Sequence, residues 1–218
     1  MDLEENIINC KKCERLIKYR NSRSIPSRYS SWTYWNRPVP GYGDINGRLL
    51  IIGLAPAFSG GNRTGRIFTG DKSSDFLISS LYEAGFTNIP ISENKDDGLI
   101  YYNMYITLAL KCAPPDNVPL KEELENCSPF FRQEINGMSN LKAILVLGKI
   151  AFDSFISYLD NADIKHGKFK FGNKTFYELG DKRLYCSYHP SPRNVNTGIL
   201  KKADFTDFLK EIKKYIEQ

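Results

Sequence analysis

The chain has 218 residues, 41% of them hydrophobic and 25% charged, with a formal net charge of +5. That length suits one domain with a full core, and no apolar run approaches the ~20 residues that a bilayer-spanning helix needs. The acidic start, "MDLEENIINCKKC", has neither the basic opening nor the apolar block of a secretory leader, so an intracellular setting is expected.

Residues 1–47 form a basic, aromatic segment. Lys11, Lys12, Arg15, Lys18, Arg20, Arg23 and Arg28 are interleaved with or followed by Tyr19, Tyr29, Trp32, Tyr34 and Trp35. Such a mixture suits nucleic acid, because phosphates attract cations and exposed bases stack on flat rings. A basic surface over a satellite aromatic core would read the same way. "CKKC" places Cys10 and Cys13 close enough for both sulfurs to bind one metal or cluster. A thioredoxin-like redox motif would need a strand before it, and nothing upstream of Cys10 reads as one.

The α/β core is expected over residues 48–218. "RLLIIGLA" (48–55) is apolar throughout, as a fully buried strand would be. The loop after it, "GLAPAFSGGNRTGRIFTGD" (53–71), is glycine-rich but fails the phosphate signatures. A Walker loop needs Lys and Ser/Thr after its second glycine, and Gly65 is followed by Arg66 and Ile67. A dinucleotide fingerprint needs G-x-G-x-x-G directly after the strand, where this chain has "GLAP".

A helix is predicted over Ser73–Ala84, ended by Gly85. "IYYNMYITLAL" (100–110) reads as a second strand. "LKEELENCSPFFRQEINGM" reads as a helix interrupted near Pro129. "AILVLG" (143–148) reads as a third strand, with a helix from Lys149. "KFKFGNKTFYEL" reads as a hairpin turning at Gly172-Asn173, "RLYCSYH" as the last strand, and the C-terminal stretch as an amphipathic helix. Buried strands alternating with helices imply a three-layer α/β/α sandwich on a mostly parallel, four-stranded sheet. Ligands bind beyond the carboxyl ends of such strands. That rule selects the loop after Gly53, the "KCAPPDN" turn and "HPSPRNVNTG" as walls of one cleft.

Cys112 and Cys127 complete a set of four thiols with Cys10 and Cys13. Four thiolates suit structural zinc or a 4Fe–4S cluster, and spacing does not choose between them. Cys112 and Cys127 would otherwise be small core residues, which is the reading for Cys186 in its buried strand. Of the two histidines, His189 ends a core strand on the binding side, where it could donate to a developing anion. His166 reads as a surface loop residue.

"GLAPA…NRTGRIFTGD", "KCAPPDN", "HPSPRNVNTG" and the dispersed cysteines together resemble the uracil-DNA glycosylase superfamily, and within it the family 5, iron–sulfur branch. The resemblance runs from Cys10 to the C-terminal helix. It implies a monofunctional DNA glycosylase that flips a deaminated base out of double-stranded DNA and cuts its bond to the sugar. Uracil is the expected base, with hypoxanthine and xanthine as further substrates. It implies a structural 4Fe–4S cluster on Cys10, Cys13, Cys112 and Cys127, a monomeric chain, and a sliding clamp as a conceivable partner. In the site, His189 would stabilise the leaving base and Gly53, Ala55 and Ala57 would shape the slot. Phe68 would stack on the base, or else be a core residue. Asn62, Arg63 and Arg66 would face the DNA, and Asn194, with Arg193, Asn196 and Thr197, would lie near phosphate.

The superfamily often places Asp or Asn just after the first motif's glycine, to activate water. This chain has no polar side chain between Gly53 and Phe58. The resemblance moves that role to Asp71, whose other reading is a helix N-cap. Asp75 is a second, weaker candidate. Asn117 would bond the base edge or the water, or else serve the turn. Ala-His often follows "GLAPA" in the family, whereas Phe58-Ser59 stands here. The alternative function is a non-enzymatic nucleic-acid-binding protein with a four-cysteine zinc site.

Overall fold

The structure, a computed structural model, describes residues 2–218. Its framework is a six-stranded sheet in the order β1-β3-β2-β4-β6-β5. β2 (Leu49–Gly53) and β4 (Ala143–Leu147) are buried along their whole length. With β3 (Met104–Leu108) and β6 (Lys182–Ser187) they make a parallel centre. The expected four-stranded parallel sheet is therefore present, but it is widened by two antiparallel edges. β1 (Tyr42–Gly43) pairs with β3, and β5 (Thr175–Leu179) pairs with β6.

Successive side chains of a strand point to opposite faces, which explains the uniformly apolar "LLII". Leu49 and Ile51 join Phe76, Leu77, Leu81, Phe205, Leu209 and Ile212 in one core. These belong to α4 (Lys72–Glu83) and α8 (Lys202–Ile216). Leu50 and Ile52 join Phe131, Ile135, Phe152 and Phe155 in the other, under α5 (Lys121–Gly137) and α6 (Lys149–Asn161). Truncating any of these fully buried leucines to alanine should cost about 2–5 kcal/mol. The short helices are α1 (Leu3–Ile8), α2 (Glu14–Ser22), α3 (Gly61–Thr64) and α7 (Pro192–Asn196).

Two expectations need correcting. The hairpin turns at Gly180-Asp181, not at Gly172-Asn173: Leu179 faces Lys182 across a two-residue turn, with Gly180 at φ 62°. Residues 168–172 are instead loop, and Phe169 stacks on Tyr177 at 4.5 Å between ring centres. α5 is not interrupted at Pro129 either. A helical proline leaves the carbonyl four residues back without its donor. Here the Ser128 hydroxyl donates to that oxygen, of Glu125, at 3.0 Å.

Candidate active site

The parallel centre aims the ends of β2, β3 and β6 at one side, and the loops that follow them enclose a cleft of about 460 Å³. Ala55, Ala57, Phe68, Asp71, Asn117 and His189 all line it. Gly53 stands just behind. A Cβ there would lie 2.8 Å from Leu108 and 3.0 Å from the Phe68 ring, so glycine lets that ring close on the strand end. Phe68 takes φ 45°, a left-handed conformation that an aromatic residue rarely adopts. Such strain is typical of sites where geometry is imposed from outside. Its ring faces His189 at 6.0 Å between centres, with planes 30° apart.

His189 is held through its backbone. Its carbonyl accepts from Asn194 Nδ2 at 2.8 Å and from the Ser191 N–H at 2.7 Å. Ser191 in turn caps α7, accepting from the Asn194 N–H at 3.3 Å. Behind the ring runs Gly148 at φ 99°, against the His189 Cβ. Burial lowers the His189 pKa to about 4, so the imidazole is neutral near pH 7. Asn194, expected near phosphate, is thus also a brace for the histidine.

Asp71 is both a helix cap and a cleft residue. Its Oδ1 accepts from the Ser74 N–H at 2.9 Å while its own N–H donates to Ser74 Oγ at 3.0 Å. Burial raises its pKa, opposed by the backbone N–H groups of Ser74 and Ser73 and by the charge of Arg63. The other oxygen, Oδ2, occupies the space a Cβ on Gly60 would need, 2.0 Å away. Asp75 pairs with Lys72 at 3.1 Å on the surface and stays outside the site. Asn117, at φ 59°, is exposed at the rim of the cleft.

Three residues expected to face DNA are buried instead. Asn62, Arg63 and Arg66 are 1%, 3% and 3% exposed. Asn62 Nδ2 donates to Asn36 Oδ1 at 2.9 Å. Arg66 pairs with Asp97 at 2.7 Å and also donates to Ser92 Oγ and Thr69 Oγ1. The physical reason is that a glycine-rich loop buries little of itself, and these long polar side chains supply the missing framework. Arg193, Asn196 and Thr197 remain exposed. The cleft also holds Ser73, expected only as the start of the helix, and Ser191, which was not singled out from the sequence. Their positions as second residue and cap of helices opening on the cleft are the signal that could have found them.

Cys10, Cys13, Cys112 and Cys127 line one common cavity, walled by Leu16, Leu110 and Phe130. Cys186 lies apart in β6. Among the described residues no three His, Cys, Asp or Glu side chains are grouped to hold a single metal ion. The four-thiol cavity nonetheless has the donors a thiolate-bound group needs. The Lys111 N–H reaches Cys127 Sγ at 3.2 Å, Arg20 Nη1 reaches Cys112 Sγ at 3.4 Å and Asn126 Nδ2 reaches Cys13 Sγ at 3.8 Å. Burial pushes the Cys112 thiol up to about 12 and the Cys127 thiol up to about 11. His166 bonds Asp160 at 3.0 Å on the surface, as expected of a loop residue.

A family model described as "Uracil DNA glycosylase superfamily" matches residues 40–213. A "Type-5 uracil-DNA glycosylase" of Pyrobaculum aerophilum is 44% identical over 201 residues, covering 91% of this chain and 85% of the relative. Proteins of the same description from Mycobacterium leprae and Thermus thermophilus are 39% and 38% identical. They cover 98% and 96% of this chain, and 94% and 95% of their own length.

Proposed function

The chain belongs to the type-5 branch of the uracil DNA glycosylase superfamily, and on that premise we propose that it hydrolyses the bond between uracil and deoxyribose in DNA. The single observation that carries the proposal is the convergence of Asp71, Asn117, Phe68 and His189 on one cleft at the carboxyl ends of the strands.

The target base leaves the duplex stack at a cost of a few kcal/mol and enters the cleft between Phe68 and the Leu54–Ala57 backbone. The C1′–N bond breaks and its electrons go to the base. Neutral His189 donates an N–H to the oxygen on which that charge collects, without giving up a proton. Asp71, with Oδ1 fixed by the helix cap, turns Oδ2 to the reacting side. There it stabilises the cationic sugar and accepts the proton of the attacking water, whose oxygen bonds C1′. Asn117, at the mouth, bonds the base edge or that water. Hypoxanthine and xanthine are proposed as further substrates of the same cleft.

Cys10, Cys13, Cys112 and Cys127 would hold a 4Fe–4S cluster. A cluster there would supply a cross-link between the N-terminal helices and the β3–α5 segment, and no step of the hydrolysis. The donors on three of the sulfurs support that assignment, since thiolates in a buried, apolar cavity need such compensation.

The test is a duplex carrying one U·G pair, incubated with the protein and then treated with alkali, beside duplexes carrying hypoxanthine or xanthine. Strand breaks at the uracil are expected; an intact uracil strand would overturn the reading. Iron and sulfide analysis of anaerobically purified protein tests the cluster, and bound zinc in place of iron would overturn it.

A further inference from the structure

Charged side chains inside a protein normally face an opposite charge. Arg63 is an exception. It sits in α3, 3% exposed, and among the described residues it has no carboxylate within 4.0 Å. Its Nε donates to Ser59 O at 2.7 Å and its Nη2 to Gly70 O at 2.8 Å. Nη1 has no partner. The guanidinium lies over the rings of Tyr29 and Trp32, its carbon 4.3 Å and 4.0 Å from their centres.

The two carbonyls it grips are well chosen. Gly70 directly precedes Asp71. Ser59 directly precedes Gly60, the residue whose bare Cα makes room for Asp71 Oδ2. A Cβ on Gly70 would lie 2.2 Å from Nη2, so the guanidinium is pressed against the loop at that point. Arg63 therefore fixes the chain on both sides of the carboxylate. Aromatic rings hold a cation without neutralising it, which leaves its charge available to the nearest anion.

We propose that Arg63 is the positioning residue for Asp71: Tyr29 and Trp32 hold an unpaired guanidinium behind the loop, where it fixes the carboxylate and keeps its negative charge in the cleft. This rests on the reading of Asp71 given above. The charges around Asp71 are few. Asp75, one turn along α4, repels it. Lys72 is engaged with Asp75, and His189 across the cleft is neutral near pH 7. After the Ser74 and Ser73 N–H groups, Arg63 is then the buried cation that helps to offset burial. The proposal also gives the aromatic N-terminal segment a task inside the protein rather than against DNA bases.

The experiment is a carbon-13 carboxyl NMR titration of Asp71 in the full chain. In Arg63→Met the Asp71 carboxyl should titrate at higher pH than in the wild type, with Arg63→Lys in between. The acidic limb of the single-turnover rate should move up with it. If Arg63→Met does not fold, Trp32→Leu decides. Trp32 is 36% exposed, and its loss should loosen the clamp and raise the Asp71 titration by a smaller step. A folded Arg63→Met, or failing that Trp32→Leu, whose Asp71 titrates as in the wild type overturns the proposal. Asp71→Asn, assayed separately, distinguishes the two readings. Full activity there removes the catalytic role of Asp71 and leaves the titration result to stand alone.

Discussion

Asp71 and Ser74 exchange hydrogen bonds in both directions, the Asp71 Oδ1 accepting the Ser74 N–H at 2.9 Å and Ser74 Oγ accepting the Asp71 N–H at 3.0 Å. The same carboxylate opens onto the cleft. In the proposed reaction, capping and catalysis fall to different oxygens of this side chain, and substitutions can separate them. Asn caps as well as Asp. Asp71→Asn should keep or slightly raise the wild-type melting temperature near pH 7 while the single-turnover rate falls by about a hundredfold or more. Asp71→Ala should lose the rate and also about 1 kcal/mol of stability. Paired melting curves and single-turnover assays check both.

His189→Ala should lower the chemical step by about 10²–10³, the usual effect of removing one donor to a developing anion. DNA affinity, measured by anisotropy, should change little.

The depressed pKa of His189 also has a stability consequence. The folded value is about 4 against an ordinary 6.5, so between those values the unfolded chain binds more protons. Stability therefore rises with pH across that window and is lost as pH falls through it. His189→Phe should flatten this part of the melting temperature–pH curve. Asp71, whose folded pKa is raised by burial, contributes with the opposite sign. An Asp71→Asn curve run in parallel separates the two.

Gly60→Ala should disable the site by displacing the Asp71 carboxylate. A Cβ at this position would sit 2.0 Å from Asp71 Oδ2. The carboxylate must move, so a rate loss approaching that of Asp71→Asn is expected with near-normal DNA binding. Retained activity would show that Oδ2 has another productive position.

Arg66 and Asp97 form a buried pair, with side chains 2% and 8% exposed. Burial opposes the charge on Asp97, but hydrogen bonds from Arg66, Leu99 and Glu93 hold its pKa below the usual carboxylate range. Asp97→Ala strands the guanidinium and should cost about 3–5 kcal/mol, read by urea unfolding. With a lowered folded pKa, the stability from Asp97 is present above the ordinary carboxylate value and lost as pH falls through the folded one.

The parts of this molecule that were legible in its sequence are those where one physical requirement dominates. Leu49–Ile52 and Ala143–Leu147 must be apolar on both faces, and such runs have few readings. Edge strand β1 escaped, being only two residues long, and β5 was expected but given the wrong partner, because a half-exposed edge has a weak pattern. Phe176 and Tyr177 of β5 share their alternation with Phe169 and Phe171, which are loop. Asp71, Asn117, Phe68 and His189 could be placed on one cleft because strand ends converge. The buried arginines could not, since Arg63 and Arg66 are indistinguishable in sequence from surface cations. Their burial depends on partners 26 to 34 residues away, such as Tyr29, Ser92 and Asp97.

The turn at Gly180-Asp181 joins β5 to the start of β6, whereas His189 follows the end of β6. The length of a strand, about 3.3 Å per residue, separates this exposed corner from the cleft. A dye or short peptide inserted there would ride on the protein at the end of the sheet opposite the cleft. The corner is the natural place to attach a reporter for following single molecules along DNA.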